Sequence, residues 1–127
     1  MHELSVCQSV ISQVEQIART HGAKAVSLVQ LSIGPLSGVE PALLAQAFPI
    51  AQAGTLAEGA ALELESLPIR VRCRSCNAES DATANRLLCG ACGDWQTTII
   101  SGDELLLTRV ELITENAHDT AKESAHV

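Results

Sequence analysis

Two groups of residues in this chain have the types and spacing that bind metal. Cys73 and Cys76 in CRSC, and Cys89 and Cys92 in CGAC, form two C-x2-C pairs with twelve residues between them. Two residues between thiolates let both sulfurs of one tight turn face a common centre about 2.3 Å away, while amides of the turn hydrogen-bond the sulfurs and spread their charge. Four such ligands define a closed tetrahedral zinc(II) site. An iron–sulfur cluster or a redox dithiol would use the same residue types. Because a four-thiolate shell leaves no open coordination position, the site is structural or regulatory rather than hydrolytic.

The second group is the start, Met1-His2-Glu3. A terminal amine and an imidazole on consecutive residues, joined by the amide nitrogens of His2 and Glu3, make fused chelate rings around one ion. Such a compact nitrogen-rich set suits Ni(II) or Cu(II). Glu3 would add a carboxylate oxygen or orient the imidazole, and Glu40 would come near only if the two helices of the chain pack side by side. A histidine at a frayed terminus is otherwise incidental.

The elements that must position these groups follow from the bounds on the chain. Its 127 residues suffice for one ordinary core, or for a small core plus a module held by something else. Hydrophobic residues make up 46% and aromatics only 2%, so the core is built from Ala, Val, Leu and Ile. A formal charge of −7 disfavours a phosphate backbone as partner, since nucleic-acid affinity comes largely from cationic contacts. There is no basic-then-apolar leader and no apolar run near the ~18–20 residues that span a bilayer, so a cytoplasmic, non-membrane protein is expected. In that compartment five cysteines, four of them in tight pairs, read as metal ligands rather than disulfides.

From Leu4 to His21 the apolar residues Leu4, Cys7, Val10, Ile11, Val14, Ile17 and Ala18 line one helix face, and Gly22 is the stop signal. Residues 26–34 read as a strand with Val29, Leu31 and Ile33 on one face. Pro41 suits the first position of a second helix, in which Pro49 predicts a kink near Ala45 or an early end. Leu62 and Leu64 alternate with Glu63 and Glu65 in a strand with one wet face, and Pro68 predicts a bulge or edge before Ile69 and Val71 resume. In 104–113, Leu106, Val110 and Leu112 share a face with Thr108, while Arg109 and Glu111 take the other. The tail from 115 to 127 has little to bury and is expected to be disordered.

The segment between the cysteine pairs is too polar to form a core, so the metal must stabilise that module. Arg70, Arg72, Arg74 and Arg86 lie beside it, half of the eight Lys and Arg. Local compensation of the negative metal–thiolate unit is the favoured reading, and a docking patch for an acidic partner the sharper one. Cys7, on the apolar helix face, reads as a packed thiol; His21, His118 and His126 read as capping or solvated residues. The expected class is α+β: two helices on a three-stranded, mainly antiparallel sheet, with an inserted zinc-ribbon module. The divisions are 1–69 plus 97–114 for the α/β domain, 70–96 for the ribbon and 115–127 for the tail.

MHELSVCQSV, LSIGPLSGVEP, GTLAEGAALELESLP, the two CxxC knuckles and ISGDELLL, taken together and in order, resemble the HypA/HybF family of hydrogenase maturation nickel metallochaperones. The resemblance runs from Met1 to about Ile113. It implies a protein that is not an enzyme, that accepts nickel(II) and delivers it to the [NiFe] hydrogenase large subunit, and that works with a nickel-binding maturation GTPase. A homodimer is left open. The resemblance also carries the nickel-donor role onto Met1, His2 and Glu3, and structural zinc(II) onto Cys73, Cys76, Cys89 and Cys92. The rival reading is a zinc-ribbon nucleic-acid-binding or transcription adaptor, supported by the arginines but opposed by the acidic charge and by Trp95 being the lone aromatic near the ribbon.

Overall fold

The computed structural model describes residues 2–115 and 118–127. Helix α1 (His2–Thr20) buries Cys7, Val10, Ile11, Val14 and Ala18, the face that the three-to-four spacing picks out. Its last turn closes with Gly22 N donating to Arg19 O at 3.1 Å and Ala23 N to Ala18 O at 2.9 Å, which satisfies carbonyls that a helix end leaves orphaned. Strand β1 (Ala25–Ile33) follows, then α2 (Pro41–Gln52), β2 (Ala61–Ser66), β3 (Ile69–Cys73), β4 (Glu79–Ala82), β5 (Thr97–Ser101), β6 (Leu105–Ile113) and β7 (His118–His126).

The strands form two sheets, ordered β2-β1-β6-β7 and β4-β3-β5. Helices α1 and α2 pack on the first sheet. Their buried residues meet Val26, Val29, Leu31 and Ile33 of β1 and Leu107, Val110 and Leu112 of β6 in one core, aliphatic but for Phe48 and Cys7. Strands β1 and β2 run parallel, as a crossover through α2 permits, whereas β6 is antiparallel to both of its neighbours. The expected class, α+β with two helices on a mainly antiparallel sheet, therefore holds, with particular differences.

The tail differs most. Residues 118–126 pair with β6 from Leu106 to Ile113 as a fourth strand, where 115–127 was expected to be disordered. A polar segment needs little apolar burial to order itself when a sheet edge offers it a row of unpaired backbone groups. Pro49 neither ends α2 nor keeps it short, for the helix continues to Gln52. Leu44 and Phe48 fix that helix by burial, which offsets the hydrogen bond that proline removes. Pro68 does not interrupt one long strand. It stands where the chain leaves the first sheet, and Ile69 and Val71 belong to the second, whose strands reach Ser101.

In β6 the buried residue is Leu107, not Leu106. The register places Gln30 opposite Arg109 but Leu31 opposite Leu107, so Thr108 is an extra residue in a bulge, with its Oγ1 donating to Gln30 O at 3.2 Å. One inserted residue resets the alternation and turns the next side chains to the other face. Arg109 and Glu111 pair on the outer face as expected, where Gln30 Nε2 also donates to Glu63 at 3.3 Å and Glu65 at 3.2 Å.

The two sheets are joined at a close backbone crossing. A Cβ at Gly34 would lie 2.2 Å from Gly102 O, and one at Gly102 would lie 2.8 Å from Ile69 Cα. Leu36 N donates to Gly102 O and Gly34 N to Glu104 O, both at 2.8 Å, so neither chain can back away cheaply. Gly34→Ala is expected to destabilise the chain by about 1–3 kcal/mol or more, the range of overpacking penalties, in urea unfolding monitored by circular dichroism. An unchanged midpoint would show that the crossing can open.

Candidate metal centre

Strand β3 delivers Cys73 at its last position, and the loop between β4 and β5 carries the second pair. The two turns are built alike. In the first, Ser75 N and Cys76 N donate to Cys73 Sγ at 3.3 and 3.4 Å; in the second, Ala91 N and Cys92 N donate to Cys89 Sγ, both at 3.4 Å. Asn77 N closes the first turn onto Cys73 O and Gly93 N the second onto Cys89 O, at 3.1 and 2.9 Å. Those two residues are left-handed, with φ of 63° and 77°. Asparagine and glycine are the residues that tolerate such angles. Gly93→Ala is therefore expected to cost about 1 kcal/mol and to weaken metal retention modestly, as read by the rate of zinc loss to a chelator.

Cys73 and Cys89 are buried, whereas Cys76 and Cys92 are exposed at the rim. Their sulfurs lie within 4.8 Å of one another, with Cys73–Cys92 and Cys76–Cys89 both at 3.6 Å. A tetrahedron with metal–sulfur bonds of 2.3 Å has edges of about 3.8 Å, so the donor set fits zinc(II) by spacing and by softness. The amide of Cys92, with that of Ala91, pulls the Cys89 thiol down to about 6. The amide of Cys76 leads the same effect at Cys73, outweighing burial. At Cys92 the amide of Asp94 favours the thiolate, but Cys73 and Cys89 together with burial outweigh it and push the thiol up to about 12. At Cys76 the amide of Ala78 is likewise outweighed, first by Cys89, and the shift is upward. Without a cation the four sulfurs thus compete for negative charge; a dication removes the conflict and releases the remaining protons.

One feature of the centre escaped the sequence reading. Asp94 accepts a short hydrogen bond from Ser75 Oγ and another from Gln96 N at 3.1 Å, so it ties the first turn to the second. The Ser75 hydroxyl, then the Gln96 amide, holds its carboxyl below the usual range. An aspartate two residues before the amide that it accepts is a turn signal in the sequence itself.

Three of the four arginines find partners inside the ribbon, though these are side chains of neighbouring strands rather than the thiolates they were expected to offset. Arg70 pairs with Asp81 and Arg72 with Glu79 across β3 and β4, both at 2.7 Å, and Arg74 Nε donates to Thr98 Oγ1 at 3.2 Å. Exposed pairs of this kind contribute ~0–1 kcal/mol. Arg72→Ala is expected to lower the ribbon's thermal midpoint by no more than that corresponds to, without loss of zinc. Trp95, 74% exposed, forms no part of the small ribbon core of Ile69 and Val71.

At the other candidate site, Met1 lies outside the described residues. His2 is exposed at the first turn of α1 and lines an open cavity of about 620 Å³ with Ser5, Ser9, Ser37, Asp103 and Glu104 among its neighbours. Glu3 turns the other way, and its Oε2 accepts from Glu40 N at 3.4 Å. The two helices do pack together, and what Glu40 brings to Glu3 is its amide. Among the described residues, the four cysteines are the one group of three or more His, Cys, Asp or Glu donors that converge. Cys7 is a packed thiol whose Sγ donates to Leu44 O at 3.5 Å, and burial, then the charge of Glu3, pushes it up to about 11. His21 caps its helix through Ile17 O at 2.8 Å. The side chains of His118 and His126 are outside the described set. Asp103 and Glu104 had no signal as co-lining residues of the His2 cavity, because they join it from the far end of the ribbon.

A two-helix α+β fold carrying a ribbon whose four cysteines converge defines a small metal-binding protein. The family described as "Hydrogenase/urease nickel incorporation, metallochaperone, hypA" matches residues 1–112, and the chain belongs to it. It is 54% identical over 114 residues to the hydrogenase maturation factor HypA of Nitrosospira multiformis, covering 90% of this chain and 99% of that one. Identity with the HypA of Aquifex aeolicus is 44% over 112 residues, 88% of this chain and 97% of the relative. The solution structure of the Ni metallochaperone HypA from Helicobacter pylori superposes with a TM-score of 0.69 at 25% identity, covering 89% of this chain and 98% of that one. The family serves nickel incorporation in hydrogenase and urease maturation, as a metallochaperone. Among the described residues no helix is long and apolar enough to cross a membrane.

Proposed function

We propose that this chain binds Ni(II) through the terminal amine of Met1, the imidazole of His2 and Glu3, and surrenders it for insertion into the [NiFe] hydrogenase large subunit. A nickel-binding maturation GTPase is its working partner, the cytoplasm its compartment, and no reaction is catalysed. The observation that carries this reading is the family match beginning at residue 1, together with an exposed His2 on the first turn of a helix. A site at a chain end suits delivery. Few packing contacts must break when a recipient offers its own ligands, and acid weakens the grip as imidazole takes a proton.

Cys73, Cys76, Cys89 and Cys92 would hold zinc(II), and the ion supplies cross-linking of two turns rather than reactivity. On this reading the nickel domain comprises 1–69 and 97–114 and the ribbon 70–96, although the ribbon's sheet extends to Ser101. Delivery is tested by following radioactive nickel from the loaded chain to nickel-free large subunit with the GTPase present. Transfer should exceed that from buffered free Ni(II) at the same activity; equal transfer would leave the chain no role as a donor.

A further inference from the structure

We infer that β7 is a detachable strap, which covers the free edge of β6 and completes one wall of the cavity beside His2. The first observation is topological. Strand β6 is paired by β1 on one side, and its other side is covered by residues 118–126 from Leu106 to Ile113. Just beyond that ladder, Val127 N donates to Leu105 O at 3.1 Å, and Val127 packs against the core and lines the same cavity as His2. The strap therefore begins at the far end of β6 and finishes beside the N-terminus of α1.

The second observation comes from the relatives. The family match stops at residue 112, before β7, and a 114-residue match accounts for 99% of the Nitrosospira chain. The Nitrosospira relative is thus matched almost in full by a stretch 13 residues shorter than this chain's 127. The HypA of Streptomyces avermitilis, 42% identical, matches over 97% of this chain and so reaches into β7. Sequence matching the β7 region is therefore present in that relative, while the family match itself ends before it.

Composition says why it is detachable. HDTAKESAH has one β-branched residue and no Leu, Ile, Val or Phe, so the strand gains ladder hydrogen bonds but little apolar burial. Elements of that kind open locally at a small fraction of the cost of global unfolding. Strand β6, by contrast, reads LLLTRVELI, buries Leu107, Val110 and Leu112, and is paired with β1 along its other edge.

The nickel part of this inference rests on the proposed role of His2; the strap itself does not. The test compares the full zinc-loaded chain with an Ala121→Pro/Lys122→Pro variant. Adjacent residues of a strand point their amides to opposite sides, so one of the two prolines removes a bond to β6 whichever way the strand is phased. A variant stopped after residue 114, about the length of the Nitrosospira relative, is the second probe. In hydrogen exchange, alternate amides of 105–113 should exchange at least ~10-fold faster in both variants, with α1 and β1 unchanged and zinc retained. Unchanged exchange in β6 would overturn the strap. Ni(II) dissociation should also quicken several-fold in both; faster exchange with unaltered nickel dissociation would overturn closure of the cavity. His2→Ala serves as the control. If it holds Ni(II) like the native chain, the His2 reading fails, while the exchange result still decides the strap.

Discussion

Replacing Cys73 with serine is expected to release zinc and to unfold the ribbon while α1 and the first sheet remain. Structural zinc sites of this ligand class contribute ~10–16 kcal/mol to the folding of their modules, far more than the few buried side chains of the ribbon can supply. Cys73 is fully buried, and its sulfur accepts two amide hydrogen bonds, so a hydroxyl there loses the ligand and leaves those amides poorly matched. The core of the other domain does not draw on the ribbon. Two readings check this: zinc content after gel filtration against a weak chelator, and amide exchange of β3, β4 and β5 beside that of α1. Zinc held at one equivalent in the variant would contradict the ligand assignment. Melting of α1 together with the ribbon would show that the two sheets fold as one unit. Chelation of zinc from the native chain should have the same effect, reversed by adding the metal back.

Nickel titration of the untagged chain, of His2→Ala and of a chain extended by one residue before Met1 is expected to separate the three widely. Losing an outer-shell partner of a metal ligand costs ~10–100-fold in affinity, and removal of a direct donor should cost more. His2→Ala deletes the imidazole. The extension deletes the terminal amine yet leaves every side chain in place, so it isolates the chelate from the cavity. Equal affinity in all three preparations, measured calorimetrically in a non-chelating buffer, would remove the proposed site. The geometry adds a refinement. Glu3 is drawn toward the amide of Glu40 while His2 faces the cavity of Asp103 and Glu104, so Glu3→Gln should weaken Ni(II) less than His2→Ala does.

What could be read early depended on range. The cysteine spacing announced the centre because a C-x2-C turn is closed by its own amides, and nothing distant is needed to aim its sulfurs. The faces of α1 were legible for the same reason, since a 3.6-residue period survives whatever packs against it. The Arg70–Asp81 and Arg72–Glu79 pairs, in contrast, depend on the register between β3 and β4. The sequence showed the arginines and favoured the metal–thiolate unit as their counter-charge, whereas the register supplies Asp81 and Glu79.

By itself the sequence determined the four paired cysteines, the two helices and the family to which they belong, all properties carried by neighbours along the chain. Only the tertiary structure decided that Leu107 rather than Leu106 enters the core, that Asp103 and Glu104 line the same cavity as His2, and that a polar tail becomes β7. Those outcomes hang on a bulge, a backbone crossing and a vacant strand edge. Each is a relation between segments far apart in the chain, where one residue of shift reverses every side chain, and local preference is too weak to choose.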